Sequence, residues 1–246
     1  MIEEAIEIST PDGTSDGFLF RPDDQPHPGV IHLTDIWGIR DAQKEMCRRL
    51  ASKGYTVLLP NVFYRSGRPP IFPESAKFGE PATMKRFAEV TGAMTPDAVV
   101  RDAGPYVDFL LAQPSVSGDQ AAVVGHCFTG AVALRIAAAQ PDKVALAASF
   151  HGGRLYTEAP DSPHLVLPQV RARLYFGHAD QDGSMPAEAI AKLEQALAEW
   201  GGRYESELYD AALHGWTTLQ SERYHPEQAA RAFAKLESLL AETFGS

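Results

Sequence analysis

Cysteine is scarce in this sequence: Cys47 and Cys127 are the only two among 246 residues. Two thiols so far apart make no disulfide framework, and they suit a reducing cytoplasm. Basic residues are few as well, with 22 Lys and Arg against 32 Asp and Glu, a net charge of −10. So acidic a chain is a poor match for nucleic acid or an anionic membrane surface. No apolar run approaches the roughly 18 residues that mark a spanning helix. The opening Met1-Ile2-Glu3-Glu4 has neither the basic nor the apolar region of a signal peptide. The expectation is a soluble, cytoplasmic protein, a monomer or small homo-oligomer, with no nucleic-acid or membrane partner.

No internal repeat, low-complexity tract or linker divides the chain. With 44% apolar residues, it reads as one large α/β domain over residues 1–246. Ala5–Ser9 and Gly17–Arg21 flank the turn cluster Pro11-Asp12-Gly13-Thr14 and read as an antiparallel hairpin. From residue 29 onward, strands alternate with helices. The strands are expected at Gly29–Thr34, Tyr55–Leu59, Ala121–Val124, Val144–Phe150, Arg171–Gly177 and Arg203–Tyr209. The helices are expected at Arg40–Lys53, where Cys47 reads as core, at Asp97–Gln113 on a Val100, Tyr106, Val107, Leu110 face, at Pro186–Trp200 and at Pro226–Thr243. That alternation predicts a mostly parallel sheet with helices on both faces. Residues 60–96, rich in proline, read as a lid-like loop with a short helix around Met84–Val90.

The most informative stretch is Ala121-Ala122-Val123-Val124-Gly125-His126-Cys127-Phe128-Thr129-Gly130, followed by an Ala-rich helical run. Four small or β-branched apolar residues in a row indicate a strand buried on both faces. Cys127 then stands at the apex of a strand-to-helix turn between Gly125 and Gly130. Small neighbours let strand and helix nearly touch, as in a nucleophile elbow with Cys in place of Ser. A thiol at a helix N-terminus faces backbone N–H groups that favour the thiolate and can bind an oxyanion. An attacking thiol needs a base, and the base an orienting acid. Two later loops at strand ends offer them: Gly177 to Pro186, holding Asp180 and Asp182, and Asp210 to Trp216, holding His214. The order nucleophile, acid, histidine is that of α/β-hydrolases.

These residues, together with Asp35-Ile36-Trp37-Gly38, give the chain a resemblance to the dienelactone hydrolase family over nearly its full length. The resemblance implies an α/β-hydrolase fold and a Cys127-Asp182-His214 triad. That triad would cleave a small-molecule ester or lactone through a thioester acyl-enzyme, without cofactor or metal. It further implies oxyanion donation from the Phe128 and Ile36 N–H groups and contact of Asp35 with the Cys127 thiol. Asp182 is preferred to Asp180 because its spacing to Pro186 matches the family's. Three positions depart from the pattern: Thr129 and Asp35 stand where Gly and Glu are usual, and Thr218 replaces the Arg that binds the substrate carboxylate in the reference enzymes. Lys85 and Arg86 are the remaining candidate cations near the lid.

Two other chemistries compete with this one. His126, His151, His178 and His214 with Cys127 include no pair at metal-ligand spacing such as Cys-x-x-Cys or His-x-x-x-His. A non-catalytic binding or redox-sensing module is the alternative of a different class, but it gains nothing from an ordered Cys, Asp and His. Trp37 and Trp216 flank the site in sequence and read either as its apolar walls or as packing.

Overall fold

Polar and apolar residues alternate at the start of the chain, and the antiparallel hairpin that alternation predicts is there. In a computed structural model, which describes residues 1–219 and 221–245, β1 (Ile2–Thr10) and β2 (Gly13–Arg21) pair from Ile2↔Arg21 to Thr10↔Gly13. The chain divides into two units, Met1–Gly118 and Asp119–Ser246. In the first, β3 (His27–His32) lies parallel to the wholly buried β4 (Thr56–Pro60), and β2 pairs antiparallel with β4. The order there is β1-β2-β4-β3. β3 begins and ends two residues ahead of the expected Gly29–Thr34.

Helix α1 (Asp41–Ser52) turns Ala42, Cys47, Leu50 and Ala51 inward, so Cys47 is a core residue, as expected. Helix α2 (Pro81–Gly92) starts before the expected Met84 because Pro81 takes a first-turn position, where its missing N–H leaves no hydrogen bond unmade. Helix α3 (Pro96–Leu111) opens at Thr95, whose hydroxyl accepts the Ala98 N–H at 3.2 Å. Its inward face is Val99, Ala103, Tyr106, Val107 and Leu110, while Val100, expected there, is 52% exposed.

Asp102 on that helix is buried and fully answered. Arg65, in a short 3₁₀ turn at Tyr64–Ser66, grips its two oxygens at 2.7 and 2.8 Å, and the Tyr64 hydroxyl donates at 2.9 Å. Arg65 and Arg101 also hold Asp12 in the hairpin turn, at 2.7 and 2.6 Å. Removing Arg65 would leave a buried carboxylate without its cation, a loss of about 3–5 kcal/mol.

β5 (Val116–His126) enters the second unit at Asp119, and there β5, β6 (Val144–Phe150), β7 (Arg173–Gln181) and β8 (Tyr204–Leu213) run parallel in that order. Ala121 to Val124 are 0% exposed, which accounts for the unbroken apolar run. Helices α4 (Thr129–Ala139), α5 (Ala187–Trp200) and α6 (Pro226–Phe244) complete the unit. β6 has the expected bounds, whereas β7 and β8 each run four residues beyond them, to Gln181 and Leu213. His178–Gln181 and Asp210–Leu213 read as the beginnings of loops, because the strand pattern read from the sequence stops at Gly177 and Tyr209. Instead they pair with one another across a bulge, ending at Gln181↔Leu213. The class is α/β, with eight mostly parallel strands.

Candidate active site

Parallel pairing decides which residues leave the sheet together. β5 and β6 stay paired to His126↔Phe150, so Cys127 and His151 emerge side by side. β7 and β8 stay paired to Gln181↔Leu213, so Asp182 and His214 do the same. All four therefore lie at carboxyl ends of strands, where open α/β sheets carry their chemistry.

Cys127 has φ +57°, a left-handed conformation that costs a non-glycine residue on the order of 1–3 kcal/mol. Its N–H offsets that cost by donating to the Phe150 carbonyl at 3.1 Å and to His151 Nδ1 at 3.0 Å. Close approach explains the flanking glycines. A Cβ on Gly125 would stand 2.2 Å from the Thr129 carbonyl oxygen, and one on Gly130 would stand 2.3 Å from Ser149 Oγ. Thr129 fits where Gly is usual because its hydroxyl closes the turn, accepting the His126 N–H at 2.9 Å and donating to the His126 carbonyl at 3.0 Å. Cys127 and Phe128 remain partly exposed at the start of α4.

His214 stands between the other two predicted residues. Its Nε2 is 3.0 Å from Cys127 Sγ, and its Nδ1 donates to Asp182 Oδ2 at 2.6 Å. Burial works against a charged His214, but the hydrogen bonds to Asp182 and Cys127 outweigh it and raise its pKa to about 10. Burial likewise pushes the Asp182 carboxyl up, and hydrogen bonds from His214 and Ser184 more than reverse this, holding it below its usual value. Asp180, the rival acid, is turned to the bulge, where it accepts the Ala211 N–H at 3.3 Å.

Sequence reasoning missed three supporting residues. Ser184 donates to Asp182 Oδ1 from its hydroxyl at 2.6 Å and from its N–H at 2.8 Å, and its Oγ lies 3.2 Å from His214 Nδ1. His151, 0% exposed and by sequence only a candidate metal ligand, accepts the Cys127 N–H at Nδ1 and donates from Nε2 to Thr217 Oγ1 at 2.7 Å. Thr217, on the His214 loop, is the third. The signal for His151 was its place directly after a strand, the same place Cys127 holds.

Asp35, Ile36 and Trp37 follow β3 in the first unit. Both Asp35 oxygens are held by Arg40, at 2.7 and 2.6 Å, with the Trp37 N–H on Oδ1 at 3.0 Å. Trp37 packs against Phe72 and Phe87 with ring centres 5.2 and 4.8 Å away. Trp216 is fully buried against Tyr209 and His151, so packing is its role, and Thr218 is buried too. His178 lies within β7, and burial lowers its pKa to about 4. Among the described residues no three His, Cys, Asp or Glu side chains are grouped to hold a metal ion, and no helix is long and apolar enough to cross a membrane.

Residues 15–244 match the model of the dienelactone hydrolase family. This chain belongs to that family. Relatives and structural neighbours span most of it. A carboxymethylenebutenolidase of Rhodococcus opacus is 29% identical over 204 residues, covering 82% of this chain and 75% of the relative. A solved structure from Klebsiella pneumoniae subsp. pneumoniae MGH 78578 matches with TM-score 0.86 at 22% identity, covering 98% of each chain. A dienelactone hydrolase-like promiscuous phosphotriesterase from metagenomic libraries matches with TM-score 0.77 at 22% identity, covering 99% of each. Those two likenesses bear on the fold, which is that of the dienelactone hydrolases, and family membership makes this chain a hydrolase.

Proposed function

We propose that this hydrolase cleaves a small carboxylic ester or lactone with Cys127 as nucleophile, His214 as acid and base, and Asp182 as the group that orients His214. The observation that carries the reading is one continuous line, Cys127 Sγ to His214 Nε2 at 3.0 Å and His214 Nδ1 to Asp182 at 2.6 Å. His214 is charged at rest, so the proton of the Cys127 thiol already sits on Nε2, and the thiolate adds to the acyl carbon. The C–O bond then breaks, the leaving oxygen takes the proton back from Nε2, and a thioester remains. Water attacks the thioester, losing its proton to His214, and the C–S bond breaks to release the acid and restore the thiolate beside the charged ring. Asp182 stays ionised throughout and balances the imidazolium.

The negative oxygen of each tetrahedral intermediate falls to the Phe128 N–H and, by the family resemblance, to the Ile36 N–H. Asp35 enters as the carboxylate that tunes thiol ionisation; because Arg40 already neutralises it, Asp35→Asn should move the pH profile of Cys127 alkylation less than His214→Ala does. Trp37, with Phe72 and Phe87 around it, supplies an apolar wall for the acyl group.

The test is hydrolysis of a small activated ester and a small lactone by wild type, Cys127→Ala and His214→Ala. The expected outcome is turnover in wild type, none in Cys127→Ala, and a fall of about 10²–10⁴-fold in His214→Ala. Equal turnover in wild type and Cys127→Ala would overturn the proposal.

A further inference from the structure

The reaction above uses Cys127, His214 and Asp182 and leaves a buried histidine beside them without a task. His151 is 0% exposed and has φ +42°, so its left-handed backbone is held there against preference, as that of Cys127 is. Its ring makes two hydrogen bonds of different origin. Nδ1 accepts from the backbone of the nucleophile, at 3.0 Å from Cys127 N. An accepting Nδ1 leaves the ring proton on Nε2, which donates to Thr217 Oγ1 at 2.7 Å. The Thr217 hydroxyl then spends its own proton on His126 Nδ1, 3.2 Å away.

Thr217 is on the loop that carries His214, and His126 is the last residue of β5, directly before Cys127. The relay therefore ties the nucleophile's turn to the base's loop at two points. The rings agree with it: His151 packs edge-on against His214 at 5.3 Å and against Trp216 at 5.0 Å.

We infer that His151 and Thr217 are positioning residues, which fix the Cys127 turn against the His214 loop and so hold Sγ and Nε2 within hydrogen-bonding distance. Neither touches the reacting atoms. The inference rests on the triad reading and deepens it. It requires a neutral His151, because a proton on Nδ1 would displace the Cys127 N–H and place a second positive charge beside His214. The ionisable groups facing Cys127 and His151 within this unit are His126, His214 and, through His214, Asp182.

The pH dependence of Cys127 alkylation by iodoacetamide, with the modified site confirmed by mass spectrometry, tests this alongside kcat and KM for an activated ester. Thr217→Val keeps the shape of the side chain and removes the bridging hydroxyl. It should raise the alkylation midpoint by about one pH unit and lower kcat about tenfold at nearly unchanged KM, the two being the same free energy. Thr217→Ser should restore both. His151→Asn, which keeps an acceptor near Cys127 but cannot reach Thr217, should behave like Thr217→Val and serves in its place if that variant does not fold. A merely structural role would lower Tm while leaving the midpoint and kcat of the folded enzyme unmoved, and that result would overturn the inference. His214→Ala separates the two readings. If it leaves the midpoint unmoved, the triad itself fails; if it raises the midpoint while Thr217→Val does not, only the positioning role fails.

Discussion

Two histidine rings 5.3 Å apart are driven in opposite directions by the strand ends that carry them. His151, beside Cys127, is wholly enclosed, and burial, followed by the nearby charge of His214, pushes its pKa well below the ordinary value. His214, beside Asp182, is partly buried too, yet the carboxylate on one ring nitrogen and the thiol on the other raise it to about 10. One strand end is thus built on strained backbone, packing and a neutral ring; the other is built on an ion pair. A neutral ring can accept a backbone N–H and hold a turn in place. A charged ring can deliver a proton.

The backbone-built end should be the easier to destroy. Gly125→Ala puts a Cβ 2.2 Å from the Thr129 carbonyl oxygen, a backbone atom that cannot swing aside. The expected cost is about 3 kcal/mol or more, with loss of turnover, checked by urea unfolding and ester hydrolysis.

The next effect separates the two ends by pH. Below pH ~6.5 the unfolded chain takes up protons that buried His151 refuses, so its contribution to stability falls as pH drops, by up to about 1.4 kcal/mol per pH unit. His178 and His32, each lowered to about 4 by burial, add to that acid loss. His214 runs the other way: its stabilisation is complete below pH ~6.5 and is lost as pH rises toward its folded value of about 10. Unfolding free energies measured across pH should flatten on the acid side in His151→Asn and on the alkaline side in His214→Ala.

The smallest expected effect belongs to Ser184→Ala. Asp182 then loses the hydroxyl at 2.6 Å but keeps the Ser184 backbone N–H at 2.8 Å. The barrier should rise by about 1 kcal/mol, a several-fold lower kcat. An unchanged kcat would mean that the backbone N–H and His214 suffice to hold the carboxylate.

The two ends also differ in how much of each is legible in the sequence. The Cys127 turn writes itself into residue size: a buried apolar strand, two glycines at close approaches and an Ala-rich helix have few other uses. Asp182 and His214 can be read only from their order along the chain and from the family pattern. Their strands each run four residues past the stretch that reads as strand, and only the cross-pairing of β7 with β8 brings the two residues together. His151 is legible as a histidine after a strand, but its task depends on a register that no local spacing encodes. Helix α2 was half visible for a different reason, since prolines that read as irregular chain include one that starts a helix.

The clasp formed by Arg65, Asp102, Asp12, Arg101 and Tyr64 bears on how the 60–96 segment can move. Residues 64–66 are riveted to the hairpin turn and to α3, and Arg86 reaches back from α2 to the Ser66 carbonyl at 2.7 Å. Between those rivets, residues 73–80 are joined by short local turns, Ala76 N–H to the Pro73 carbonyl and Glu80 N–H to the Lys77 carbonyl, and Phe78 is 65% exposed there. The first half of the segment and α2 are thereby fixed to one another, and together they frame residues 73–80.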